Sequence, residues 1–256
     1  MIVIFVILGI LVGALLNQLG TDLPARRAPT RPHCLYCGEV RPWWQWIALP
    51  ASLVGQAKCR HCGKRIRWRW PITELGMAAI YVYLWLTLGR SADPDDRITM
   101  ALYMVYFAIF ALILITDFER RLILNIVTYP AILFALVAGF FTPGLTWYSM
   151  LIGGAIGLLF FTFVVIIGAA VFGEGAMGQG DITLATLIGL IVGFPLIIEA
   201  ILVAVIIGAA ISLILIVFRV RGWKDYVPYG PFLIAGGVIA MLWGYPLAEW
   251  YLQLIS

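Results

Sequence analysis

Charge is what this chain has least of. Lys and Arg number 17 and Asp and Glu 13 among 256 residues, so charged groups make up 12% of it, about half the roughly 25% of an ordinary soluble domain. With an apolar fraction of 63%, so few charges exclude both a soluble globular domain and a disordered chain. Other signals are missing too. The first apolar run has no basic n-region, and no A-x-A-like site follows it, because Asn17, Gln18 and Gly20 lead straight into Asp22-Leu23-Pro24. It reads as a retained helix and not as a signal peptide. Residues 173–178 match G-x-G-x-x-G, but no strand precedes them and no βαβ unit is present, which discounts a dinucleotide site. No Lys-Ser or Lys-Thr pair makes a phosphate loop.

What is present is a series of long apolar runs, at about 2–18, 71–88, 98–116, 125–141, 148–172, 182–195, 197–218 and 229–254, near or above the ~18–20 residues that cross a hydrocarbon core. The expected fold is an all-α polytopic membrane protein of about eight transmembrane helices. At Gly193-Phe194-Pro195 the pattern allows either two helices or one kinked element, so seven helices remain an alternative. The basic residues give the direction. Residues 19–70 carry ten, 117–124 two and 219–228 three, while Arg90 and Arg97 alone lie on the other side, beside Asp93, Asp95 and Asp96. By the positive-inside rule the basic connections face the cytoplasm and both termini face out. The basic 19–70 segment then reads as a lipid-facing domain and not as a nucleic-acid module. Its tryptophans Trp43, Trp44, Trp46, Trp68 and Trp70 fit either the headgroup level or a small core.

All four cysteines lie in that segment, as Cys34-x-x-Cys37 and Cys59-x-x-Cys62, each pair followed by a glycine, Gly38 and Gly63. Four soft thiolates at this spacing suit one tetrahedral structural zinc with no open position. Disulfides are disfavoured in a reducing compartment, and inert buried cysteines are disfavoured in so polar a stretch. His33 and His61 are alternative ligands that a complete thiolate set does not need.

Two aspartates stand at ends of apolar runs on the predicted cytoplasmic face. Asp117 closes the run 98–116, and Asp181 opens the run 182–195 behind Gly178-Gln179-Gly180. Ionisable residues at a bilayer are functional candidates. Two carboxylates brought together share a proton, one serving as base towards water and the other as acid, which is the chemistry of aspartic proteolysis. Glycines such as Gly178 and Gly180 let backbone and substrate approach closely. The plainer alternatives are a helix cap or a balance to Arg120 and Arg121 for Asp117, and a first-turn charge for Asp181. Glu74 is either a first-turn charge of the second helix or a site residue, while Glu199 and Glu249 are expected at the outer surface.

These residues resemble the type IV prepilin leader peptidases along essentially the whole chain. The resemblance is carried by Gly178-Gln179-Gly180-Asp181, Asp117 with Leu122 to Asn125, the two cysteine pairs, Arg69-Trp70-Pro71 with Glu74, Tyr229-Gly230-Pro231-Phe232, and Gly13 to Asn17 with Leu23-Pro24. It implies a multi-pass protein of the bacterial inner membrane with a zinc-bearing cytoplasmic insert. It also implies cleavage of the basic leader of pilin or pseudopilin precursors after a glycine, with Asp117 and Asp181 as the catalytic pair. The new amino terminus would then be methylated from S-adenosylmethionine. The chain departs from the family at Asp22, where arginine is usual, at Gln18 in an apolar patch, at Leu124 where proline is common, at Ala176, which looks inserted, and at Thr183, where lysine is usual.

The expected organisation is a first helix over 1–18, a zinc-binding, methyltransferase-associated domain over 19–70 and a protease core over 71–256. Asn17 and Glu74 flank the polar domain at the two helix ends that enter it. They are the expected methyltransferase residues, Glu74 as the carboxylate that takes a proton from the amine. Acidic groups such as Glu119 and Glu174 are expected near the basic leader. Two other readings compete: a G-x-G-D membrane protease without methyl transfer, and a transporter or assembly protein whose aspartates bind an ion.

Overall fold

A computed structural model describes residues 1–25, 30–172, 178–218 and 229–255. Among these residues all regular elements are helical, and the extended pairings are two single bridges, His33 with Val40 and Lys58 with Arg65. The helices are α1 (Ile2–Asp22), the six-residue α2 (Ala48–Leu53), α3 (Arg69–Leu84, continued by a π-helical turn over Trp85–Gly89), α4 (Pro94–Arg120), α5 (Asn125–Gly139), α6 (Trp147–Phe172), α7 (Gln179–Val192), α8 (Leu196–Val217) and α9 (Gly230–Ile255). Each of the eight apolar runs is helical. Gly193, at a φ of 72°, separates α7 from α8 as two elements.

Six of these helices (α1, α3, α4, α6, α8 and α9) are long and apolar enough to cross a membrane. The other two of the eight expected, α5 and α7, are apolar but shorter. α5 has 15 residues and α7 has 14, about 21–22 Å at 1.5 Å per residue against a hydrocarbon core of about 30 Å. Their lengths suit different surroundings. α7 is buried nearly all round, through Leu184, Ala185, Leu187, Ile188, Leu190 and Ile191, as a short interior helix should be. α5 buries Ala131, Ala135 and Ala138 but exposes Ile126, Leu133 and Val137. Large exposed side chains on the long helices, such as Phe163, Ile166, Leu202 and Leu213, suit a hydrocarbon solvent and would be a liability in water.

The chain forms two compact units, Met1–Thr116 and Asp117–Ser256. In the first, α1 packs along α3. A Cβ on Gly9 would lie 2.5 Å from the Ala78 Cα, and one on Gly13 would lie 2.6 Å from the Glu74 Cα. Small residues four apart let two backbones come this close, the usual route to helix contact where lipid removes the hydrophobic drive. The loop between α1 and α3 has a small core of its own, in which Ala48, Ile66 and Trp70 pack together. The tryptophans divide between the two roles: Trp70 is core, whereas Trp43, Trp46 and Trp68 are exposed.

In the second unit α7 is the shared partner, packed by α5, α6 and α9, while α8 pairs with α9. The α6–α7 seam repeats the small-residue device, Gly153 and Gly157 of α6 meeting the carbonyls of Gly189 and Ala185 of α7. On α9, Gly236 meets the Ala200 carbonyl of α8 in the same way.

Candidate functional site

The four cysteines sit on two turns built bond for bond alike. Gly38 N–H donates to the Cys34 carbonyl at 2.9 Å and Gly63 N–H to the Cys59 carbonyl at 3.0 Å. Cys34 N–H donates to the Glu39 carbonyl and Cys59 N–H to that of Lys64, both at 2.8 Å. Gly38 and Gly63 have φ of 76° and 67°, a left-handed conformation open to glycine without strain. The four Sγ atoms fall within 4.8 Å of one another, with Cys34–Cys62 at 3.6 Å and Cys37–Cys59 at 3.7 Å. A tetrahedral ion with sulfur at about 2.3 Å needs edges of about 3.8 Å, so the donor set fits zinc. Its electrostatics also call for a cation. Backbone N–H groups of Cys62 and His61 hold the Cys59 thiol down at about 6. Cys37, although Glu39 N–H favours its thiolate, is pushed up to about 12 by desolvation and the three other sulfurs. Four sulfurs this close cannot all ionise until a positive ion lies among them. His33 and His61 are not members of the cluster.

Asp117 and Asp181 belong to the second unit. Asp117 is in the last turn of α4, and Arg121, with φ of 53°, donates its N–H to the Asp117 carbonyl at 2.8 Å where the helix stops. Asp181 is the third residue of α7, whose N-cap is Gly178; its N–H donates to the Gly178 carbonyl at 3.1 Å. Each aspartate is only 5% exposed, and the Asp117 charge acts on Asp181. Among the described residues the Asp117 Oδ2 is buried without a hydrogen-bond partner, whereas Arg120 and Arg121 are exposed. A surface charge balance does not describe that geometry. Gly180 packs on Ile123, with its Cβ direction 2.5 Å from the Ile123 Cβ. Gly178 stands beside the Asp181 carboxylate, 3.7 Å from Cβ position to Oδ2. Residues 173–177, which include Glu174 and Ala176, and residues 219–228, with Arg219, Arg221 and Lys224, lie outside the described residues.

Asn17 and Glu74 are both fully buried in the first unit, at 0% exposure. Asn17 Nδ2 donates to the Trp70 carbonyl at 3.0 Å. Glu74 is not a first-turn charge of its own helix, a correction to one sequence expectation; it stands in the second turn of α3 and serves another helix. The N–H groups of Ala48 and Leu49, the first amides of α2, donate to its two carboxylate oxygens at 2.8 and 2.6 Å. Two charge-assisted bonds at a helix start satisfy donors that would otherwise be orphaned. The two departures at the end of α1 also serve one purpose. Gln18 Nε2 donates to Asp22 Oδ2 at 2.8 Å, and Thr30 N–H donates to the same oxygen at 2.8 Å. They fix the turn by which the chain leaves the helix.

Two contributors to the aspartate site escape a reading by motif. The Ile123 side chain lies against Gly180 and also within 3.4 Å of a Cβ placed on Gly230, while that same Cβ would be 2.7 Å from the Asp117 Oδ2. A side chain at position 230 would compete with the Asp117 carboxylate for this space. Tyr229, beside it, buries a hydroxyl without a partner among the described residues. The Tyr229-Gly230-Pro231 string marks the place in the sequence, but nothing in spacing ties it to Asp117.

Comparison with known proteins gives a consistent result. Residues 104–213 match the model of the type IV leader peptidase family, and residues 7–88 match that of the bacterial peptidase A24 N-terminal domain. Similar proteins include the prepilin leader peptidase/N-methyltransferase of Bacillus subtilis, 25% identical over 99% of this chain and 99% of that one. Those of Pseudomonas aeruginosa and Aeromonas hydrophila are 29% and 28% identical over 86% and 87% of this chain and 74% of each of theirs. No solved structure matches the chain.

Proposed function

We propose that the chain, similar over residues 104–213 to the type IV leader peptidase family and over 7–88 to the bacterial peptidase A24 N-terminal domain, is a membrane aspartic endopeptidase and N-methyltransferase. It cuts the basic leader from type IV pilin or pseudopilin precursors after a glycine, and then methylates the new amino terminus. Asp117 and Asp181 are the reacting pair. The observation that supports this most is that two aspartates from separate helices are buried within electrostatic reach of each other, beside glycines that leave room for a peptide. One carboxylate takes a proton from water as the oxygen adds to the scissile carbonyl, and the other protonates the carbonyl oxygen. When the tetrahedral centre collapses the C–N bond breaks, and a proton passes to the departing nitrogen, which becomes the amino terminus of the mature subunit. Gly178 and Gly180 keep the approach to Asp181 open. An apolar substrate helix lies against the enzyme's own apolar helices within the membrane, and exposed Glu119 offers its charge to the basic leader.

Cys34, Cys37, Cys59 and Cys62 hold one structural zinc, which fixes the loop and, with four thiolates, leaves no place for substrate. S-adenosylmethionine supplies the methyl group when bound. Asn17 and Glu74 are the residues proposed for methyl transfer; Glu74 also accepts two α2 amides and Asn17 donates to the Trp70 carbonyl, so both also hold the loop on its helices. The distribution of Lys and Arg supports an inner-membrane protein with the cysteine loop in the cytoplasm and both termini outside. Lipid headgroups, and no nucleic acid, then neighbour the basic loop.

The test is to incubate the purified protein in detergent with a pilin-like precursor, with and without S-adenosylmethionine, and to read product masses. Cleavage alone gives one mass, and methylation adds about 14 Da. An uncut precursor under both conditions would overturn the protease and favour the ion-binding alternative. A cut product that never gains the methyl mass would leave a G-x-G-D protease alone.

A further inference from the structure

Arg41 is a buried cation that the proposed chemistry does not use. It is 8% exposed, and its guanidinium carbon lies 4.4 Å from the centre of the Trp70 ring. Its Nη1 is buried without a hydrogen-bond partner, and no ion pair satisfies it among the described residues. A guanidinium removed from water in this way needs a negative partner, since a stacked indole offers only a weak one. The position is fixed from the backbone. Arg41 N–H donates to the Pro32 carbonyl at 2.8 Å, one step along from the bond between Cys34 N–H and the Glu39 carbonyl, so Arg41 rides on the ribbon that presents Cys34. The Trp46 indole N–H donates to the Arg41 carbonyl at 3.0 Å. Arg41 and Cys59 line the same cavity of about 360 Å³. Burial disfavours the guanidinium's charge, and the Cys34 and Cys59 thiolates, one from each cysteine turn, favour it.

We propose that Arg41 is the counter-cation of the four-cysteine centre, holding part of its negative charge and tying it to α3 through Trp70. The inference rests on the metal reading of the cysteines. A divalent ion with four thiolates carries a net charge of about −2, and a buried cation on the cavity that Cys59 lines would offset part of it. Groups just outside a metal's ligands typically change its retention by about 10- to 100-fold. Arg41 is therefore a positioning residue that touches no substrate, and the cost of burying it is met when the centre is loaded.

The experiment uses the full chain in detergent, carrying zinc, with release to a chromogenic chelator as the readout. Arg41→Met keeps an apolar stem on Trp70 without the charge. Arg41→Lys keeps the charge without the planar stack, and Arg41→Gln serves as the uncharged variant should the methionine protein fail to fold. The expected result is zinc held roughly 10- to 100-fold less tightly by the Met and Gln variants and near wild-type retention by the Lys variant, with a matching change in the thiolate-to-metal absorption of the cobalt-substituted proteins. Equal retention by wild type and the uncharged variants overturns the proposal while leaving the zinc reading intact. Equal loss in Lys and Met variants overturns it in favour of simple packing on Trp70. A wild-type protein that binds no metal overturns both readings together.

Discussion

In the cysteine loop each of the two cysteine turns is closed by backbone bonds that reach no more than five residues along the chain, from Cys34 to Glu39 and from Cys59 to Lys64. Asp117 and Asp181 instead lie on α4 and α7, with two helices between them in sequence, and no direct hydrogen bond joins their side chains among the described residues. Small residues do the placing there: Gly153 and Gly157 admit α7 against α6, and Gly180 and Gly230 admit Ile123 and the Asp117 carboxylate. The difference teaches that a metal centre can be specified locally in a polar loop, whereas a carboxylate pair among membrane helices depends on how closely whole helices pack. The first should survive damage elsewhere in the chain. The second should be sensitive to a single methyl group.

The largest expected effect comes from removing the shared proton. Asp117→Asn and Asp181→Asn should each lower precursor cleavage by at least the 10² to 10⁴-fold typical of a lost acid or base, without changing helical content by circular dichroism. Substantial processing by either purified mutant would remove the pair from the mechanism. In wild type, the pH profile of cleavage should be bell-shaped, with limbs that belong to the dyad as a whole.

Next in size is the metal centre. Replacing Cys34 and Cys37 together with Ser should abolish zinc binding, measured as about one ion per chain before and none after. Hydrogen exchange across residues 30–70 should rise at the same time, while cleavage should fall far less than in the aspartate mutants. Cleavage lost in proportion to zinc would show that the two regions are not independent in the way their construction suggests.

A smaller and sharper test is Gly230→Ala. The new methyl group would stand 2.7 Å from the Asp117 Oδ2, the end of a side chain that can swing away, so stability should change little. A displacement of the order of 1 Å at a reacting group can nonetheless cost about 10²-fold in rate. The expected outcome is a fall in kcat of about 10- to 100-fold with a thermal midpoint near wild type. A variant that cleaves normally would mean that Asp117 tolerates displacement.

The smallest effect should be that of Glu74→Gln. Gln keeps one carbonyl acceptor but loses the charge and turns an NH2 donor towards the second amide, which should loosen α2 by roughly 1.5–3 kcal/mol, seen as faster exchange of the amides around 48–53 with cleavage unchanged. Intact protection there would show that the loop is held by the packing of Ala48, Ile66 and Trp70 alone. The product mass from the same mutant, with methyl donor present, tells whether anchoring the loop matters for methylation.

The sequence by itself determined the class of molecule, the positions of the eight apolar helices, the four-cysteine cluster and the two aspartates worth testing. Those features are written in composition, in run length and in spacings of a few residues, which local chemistry obliges the chain to respect. It did not determine that α7 is buried nearly all round while α5 leaves one face open, because an apolar run looks the same whether lipid or protein covers it. Nor did it reveal that Glu74 caps α2 across 26 residues, that Gln18 and Asp22 are partners, that Arg41 lies buried against Trp70, or that Gly230 yields its space to Asp117. Each of these depends on which backbones approach within a few ångströms. Tertiary packing decides that through the small residues at the helix seams, and no periodicity along one strand of sequence encodes the partner on the other side.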